Sequence, residues 1–140
     1  MIVLDTNVIS EAWKPHPSAQ VMQWMDAQNS ETLFVSAITI AELRLGLAVM
    51  PSSKRRDHFC RLLEKELLPA FFGRILSFDL EASGAYSHLM AKARKAGIAI
   101  SAADGYIAAT AAARGMMVAS RDTAPFEAAD VAVINPWNDI

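Results

Sequence analysis

The chain has 140 residues, 53% of them hydrophobic and only 20% charged, which excludes a disordered polypeptide and suits one domain spanning 1–140. Thirteen basic and fifteen acidic residues give a net charge of −2 and a pI near 5.9, so the bulk charge does not announce a nucleic-acid binder. The single cysteine, Cys60, excludes an internal disulfide, and His16, His58 and His88 are too scattered for a zinc-type ligand set.

Taken in chain order, Ile2 to Leu4 reads as a buried strand, followed by a short helix near Val8 to Trp13 that Pro15 and Pro17 punctuate. Ser18 is placed to cap a helix through about Ala27. Leu33 to Val35 is a second strand, leading into a helix from about Ala37 to Val49. Pro51-Ser52-Ser53 opens an amphipathic helix to about Leu68, stopped by Pro69, and Ile75 to Phe78 is a third strand. Asp79 caps a helix running to Ala96, with Gly97 as its left-handed terminator. Ser101 caps a further helix ending at Arg114-Gly115. Met117 to Ala119 and Val131 to Ile134 supply two last strands, closed by Asn135-Pro136. Asp5 comes too early for a signal peptide, and no uncharged apolar run reaches the ~18 residues of a membrane span. A soluble, cytoplasmic protein is the expectation.

Strands that are continuously apolar, separated by helices, imply a mostly parallel sheet of about five strands covered on both faces, a three-layer α/β/α sandwich. The ligand crevice of such a fold lies at the carboxyl ends of its strands. Asp5 and Asp122 follow two strands directly, while Glu42 and Asp104 sit early in helices that should start from that edge. All four interrupt segments that are otherwise nearly free of charge, so they are expected to converge.

Each acid also has a structural role open to it. Thr39-Ile40-Ala41-Glu42 and Ser101-Ala102-Ala103-Asp104 have capping-box spacing, and Asp5 and Asp122 could each close a turn. As a set they say more. Clustered carboxylates repel unless a cation compensates, and an all-oxygen cluster suits Mg²⁺ or Mn²⁺ rather than zinc or copper. Such a centre polarises phosphoryl oxygens and activates water. There is no phosphate-binding glycine loop and no Ser-His-Asp arrangement.

Four segments carry a resemblance. They are Ile2-Val3-Leu4-Asp5-Thr6-Asn7-Val8-Ile9-Ser10, Ser36-Ala37-Ile38-Thr39-Ile40-Ala41-Glu42-Leu43, Ala102-Ala103-Asp104-Gly105-Tyr106-Ile107-Ala108-Ala109-Thr110 and Ala119-Ser120-Arg121-Asp122. As an ordered set they resemble PIN-domain proteins, specifically the VapC-type toxins, and the closing Asn135-Pro136-Trp137 resembles the FitB branch. Ser120 stands where that family commonly has Thr, which keeps the hydroxyl. The resemblance implies an Mg²⁺- or Mn²⁺-dependent endoribonuclease that is a homodimer, inhibited by a small cognate antitoxin and reaching operator DNA only through it. It makes Asp5 and Asp104 the foremost metal ligands. Glu42 would touch metal or orient water, Asp122 would be an outer or second-metal acid, and Thr6, Asn7 and Ser120 polar support.

Arg44 and Arg121 lie beside these acids and are candidates for phosphate contacts or for pairing with a carboxylate. Lys54-Arg55-Arg56 reads as a solvated face, Tyr86 and His88 as packing residues. Trp13, Trp24 and Trp137 divide between core and interface. On the residues alone two other functions stay open. One is a metal-dependent phosphohydrolase acting on a small molecule or DNA. The other is a weakly catalytic binding protein that presents its partner to operator DNA.

Overall fold

The computed structural model describes residues 1–138; the last two positions of the expected 1–140 domain lie outside the described residues. Five strands, β1 (Ile2–Leu4), β2 (Leu33–Ser36), β3 (Ile75–Leu76), β4 (Met117–Ala119) and β5 (Val133–Ile134), form one sheet in the order β3-β2-β1-β4-β5. All four pairings are parallel, with Leu4 opposite Val35 on one side and Ala119 on the other. Side chains alternate across a strand, and β1 divides accordingly. Ile2 and Leu4 join an apolar cluster with Val8, Trp24, Leu43, Leu47 and Leu63 on one face. Val3 joins Leu89, Ile107, Val118 and Phe126 on the other. The expected three-layer α/β/α sandwich is therefore the observed one.

The chain builds outward from β1 to β2 and β3, then crosses to the other side for β4 and β5. The order reverses between β1 and β4, and open parallel sheets bind ligands at the carboxyl ends of strands at such a point. Asp5 leaves β1 there, and Ser120 leaves β4.

Helices start where the sequence supplies a cap. Asp5 caps α1 (Thr6–Ala12), Ser18 caps α2 (Ala19–Ala27), Ser36 caps α3 (Ala37–Val49) and Ser53 caps α4 (Lys54–Arg61). The helix expected to stop at Pro69 instead widens into a π-helical stretch at Leu62–Leu67 and continues as α5 (Leu68–Ala70). The wider i→i+5 turn relieves the clash a proline ring makes with the preceding turn, so Pro69 sits at the start of α5 rather than ending the helix. Helix α6 (Leu80–Lys95) begins at Asp79 and ends as expected, Gly97 adopting φ +73°. Helix α7 (Ala102–Ala113) packs closely on α6 because Gly105 faces Met90 and Tyr86 with no room for a methyl group. A short helix α8 (Ala124–Ala128), not anticipated, buries Phe126 completely. Strands β3 and β5 are shorter than expected, two residues each. Among the described residues no helix is long and apolar enough to cross a membrane.

Candidate active site

Asp5 is the centre of the carboxyl edge. Its backbone N–H bonds Ala119 of β4 (2.9 Å), which continues the β1–β4 ladder by one residue, and its side chain is only 5% exposed. One carboxylate oxygen caps α1 by accepting from the Thr6 amide (2.8 Å); the other accepts from Ser120 Oγ (2.8 Å) across the sheet. Asn7, one residue further into α1, donates from Nδ2 to Ser120 Oγ (3.2 Å), and its Oδ1 accepts the Arg121 amide (3.2 Å). The end of β1 and the end of β4 are thus tied by a polar network of Asp5, Asn7 and Ser120.

The other acids arrive from different elements. Glu42 is exposed on the second turn of α3. Because Ser36 is the cap of that helix, Glu42 lies outside the capping position that its spacing from Thr39 suggested. Its carboxylate instead accepts a hydrogen bond from Thr6 Oγ1 (2.7 Å), and buried Thr39 has its Oγ1 3.2 Å from the same hydroxyl. Asp104 is half-buried in the first turn of α7, where its amide donates to Ser101 Oγ (3.2 Å), one half of the capping box. Asp122 is exposed just past β4, its amide held by Ser120 Oγ (3.1 Å).

Electrostatics identifies the group. Burial, with the negative charges of Asp104 and Glu42, pushes the Asp5 pKa up from 3.8 to about 6, against the hydrogen bonds from Ser120 and Thr6 that pull it down. Among the described residues none of the four acids is in an ion pair. Asp5 feels the charges of Asp104 and Glu42, while Asp122 is not among the charges acting on it. The donors of the four acids are all oxygen, the hard set that Mg²⁺ and Mn²⁺ take. No three His, Cys, Asp or Glu side chains stand together as a preformed metal cluster among the described residues. Glu42 and Asp122 are the exposed carboxylates, and of the two Glu42 is held by the Thr6 hydroxyl.

The sequence of the chain carries the same arrangement as a known family: the family model described as PIN domain matches residues 2–132. The chain belongs to the PIN-domain family. It is similar to the VapC ribonuclease Y4jK of Sinorhizobium fredii, 63% identical over 137 residues that cover 98% of each chain. It is similar also to Toxin FitB of Neisseria gonorrhoeae, 50% identical over 99% of this chain and 100% of that one. Among solved structures, FitAB bound to an IR36 DNA fragment superposes with a TM-score of 0.95 at 48% identity, covering 100% of this chain and 98% of that one.

Two basic candidates of this PIN domain part company. Arg44 is committed to Glu64 (3.1 Å), both side chains about half exposed, and so takes the pairing role. Arg121 lies over the Trp137 ring, 5.2 Å from Cζ to centroid. Trp24 is buried, Trp13 stacks on Phe59, and Tyr86 packs with Phe78 and Tyr106, while His88 is exposed rather than packed. Lys54 and Arg55 are exposed as a solvated face would be, with Arg55 over Phe59. A second buried acid, Glu11, was not anticipated. Its carboxylate accepts from Lys14 Nζ (2.9 Å) and the Ser18 amide (2.9 Å), and those bonds hold its pKa below the usual range. Lys14 three residues on was the readable signal. A cavity of about 1020 Å³ lies away from the acids, an apolar groove between α1, α3 and α4 lined by Trp13, Leu43, Leu47, Met50 and Phe59.

Proposed function

We propose that the chain is the toxin of a toxin–antitoxin pair and works as an endoribonuclease that depends on Mg²⁺ or Mn²⁺. The observation that carries this reading is Asp5, raised in pKa chiefly by its burial at the switch point of the sheet and further by the charges of Asp104 and Glu42, with no protein cation paired to it. The near-complete coverage of a relative named a VapC ribonuclease supports RNA as the substrate. Asp5 and Asp104 are the foremost ligands for the ion, Glu42 a ligand or the acid that orients water, and Asp122 an outer acid. When bound, the ion supplies positive charge to the phosphoryl group and makes water a better nucleophile at neutral pH. The chain's own groups do the positioning: Ser120 and Thr6 fix the two oxygens of Asp5, Thr6 holds Glu42 in line, and Asn7 keeps the ends of β1 and β4 in register.

A small antitoxin as partner is supported by the likeness to FitAB, a protein pair solved bound to an IR36 DNA fragment, so operator DNA would be reached only through the partner. An acidic pocket suits an inserted arginine, and the apolar groove between α1, α3 and α4 suits an amphipathic segment. Leu45 and Val49, 65% and 73% exposed one turn apart on α3, favour self-association as a homodimer.

The test is cleavage by partner-free protein of labelled RNA and DNA, with Mg²⁺, with Mn²⁺ and with chelator. RNA cleavage that chelator abolishes and Asp5→Asn removes is the expected result. Cleavage of DNA alone would assign the chain to the phosphohydrolase reading, and no cleavage of either would leave a binding protein.

A further inference from the structure

We propose that Arg121 grips a backbone phosphate of the nucleic acid beside the acidic group, and that Trp137 is the residue that positions it there. This deepens the ribonuclease reading and rests on it. Arg121 stands between Ser120, whose hydroxyl bonds Asp5, and Asp122. Both ends of its peptide unit are tied down: the amide donates to Asn7 Oδ1 (3.2 Å) and the carbonyl accepts from Asn135 Nδ2 (3.5 Å). The guanidinium lies over the Trp137 ring at 5.2 Å. A guanidinium held over an aromatic face is restrained in position while N–H donors remain available, and paired guanidinium donors are what a phosphate takes bidentately.

Several other cations of the chain are already engaged: Arg44 is held by Glu64, Arg114 by Asp79 and Lys14 by Glu11. Arg121 is in no ion pair among the described residues and is exposed. Glu11 attracts it electrostatically, yet the oxygens of Glu11 are taken by Lys14 and the Ser18 amide. A polyanion approaching four carboxylates on a chain of net charge −2 meets repulsion, so a free cation at the rim has an evident use. Trp137 is set for this task by its own turn. Its amide donates to Asn135 Oδ1 (2.9 Å), and buried Pro136 locks the chain between them.

The experiment measures binding of labelled single-stranded RNA by fluorescence anisotropy across a salt series, on an Asp5→Asn background so that the RNA stays intact. Adding Arg121→Ala should weaken binding about tenfold and lower the slope of log affinity against log salt by about one. Trp137→Ala should weaken it less, Trp137→Phe should keep most of it, and neither should matter once Arg121 is gone. Arg44→Ala, the matched loss of a paired arginine, should leave the slope unchanged. An unaltered slope in Arg121→Ala overturns the phosphate contact, and a Trp137→Ala loss that persists without Arg121 overturns the positioning role, making Trp137 a direct contact. If unmodified protein cleaves no RNA while the Arg121-dependent slope remains, the ribonuclease reading fails and this contact stands. If it cleaves RNA with no such slope, this inference alone fails.

Discussion

Asp5 and Glu11 sit six residues apart at the two ends of one short helix, each 5% exposed, and they behave oppositely. Burial and two like charges raise Asp5 to about 6; a lysine and a backbone amide lower Glu11. Surface exposure alone therefore does not separate the two acids: desolvation dominates at Asp5, whereas direct hydrogen bonds from Lys14 and Ser18 dominate at Glu11. The pH signatures follow. Because the folded pKa of Asp5 lies above its unfolded value, its ionised form destabilises the fold. That effect is absent below 3.8, grows as pH rises and is complete above about 6. Glu11 stabilises above its unfolded value of 4.5, and that support is lost as pH falls through its lowered folded value.

The comparison breaks first at Asp5. Asp5→Asn should reduce RNA cleavage by on the order of a thousandfold or more while raising stability without metal at pH 7 by up to about 3 kcal/mol. The single amide oxygen can accept from the Thr6 amide or the Ser120 hydroxyl but not both, which trims the gain. The remainder should vanish below pH 4, where the wild-type carboxyl is itself protonated and denaturant titrations of both proteins should converge. A destabilised variant at neutral pH would show that burial and like charge do not penalise the ionised Asp5 as described. Metal sharpens the same point. Divalent ion at about a hundred times its Kd should stabilise the wild type by about 2.7 kcal/mol and the Asp5→Asn and Asp104→Asn variants far less, read as shifts in thermal melts. Equal gains in all three would place the ion elsewhere.

Support for the acids comes next in size. Thr6→Val removes the hydroxyl that holds Glu42 and should lower cleavage about tenfold, with Thr6→Ser restoring it. Glu11→Gln should do the reverse of Asp5→Asn, lowering the melting temperature at neutral pH while leaving cleavage within about twofold. Its deficit should close in acid as the wild-type carboxylate protonates. The smallest effect belongs to the exposed pair: Arg44→Ala should change stability by less than about 1 kcal/mol, whatever the pH between 6 and 8.

Much of this molecule was legible along the chain because its determinants are local. Unbroken apolar triplets such as Ile2-Val3-Leu4 and Met117-Val118-Ala119 announce strands buried on both faces, and Ser18, Asp79, Ser101 and Gly97 mark helix ends by their own hydrogen-bonding and backbone preferences. Acids placed just past such strands point to the carboxyl edge without any coordinates. The short helix carrying Phe126 and the passage of a helix through Pro69 were not legible, since each depends on what packs around a segment with weak or contrary local preference.

What the sequence determined by itself is the parallel three-layer fold and the edge on which the four acids stand, because strand, cap and turn signals act over a few residues. Only the tertiary structure decided their partners. Thr6 answers Glu42 across 36 residues, Ser120 answers Asp5 across 115, Arg44 goes to Glu64 and Arg121 to Trp137. The physical reason is that a charge is read from its neighbours in space. Two carboxylates with the same exposure become an isolated acid and a paired one only when the sheet and helices bring their neighbours in.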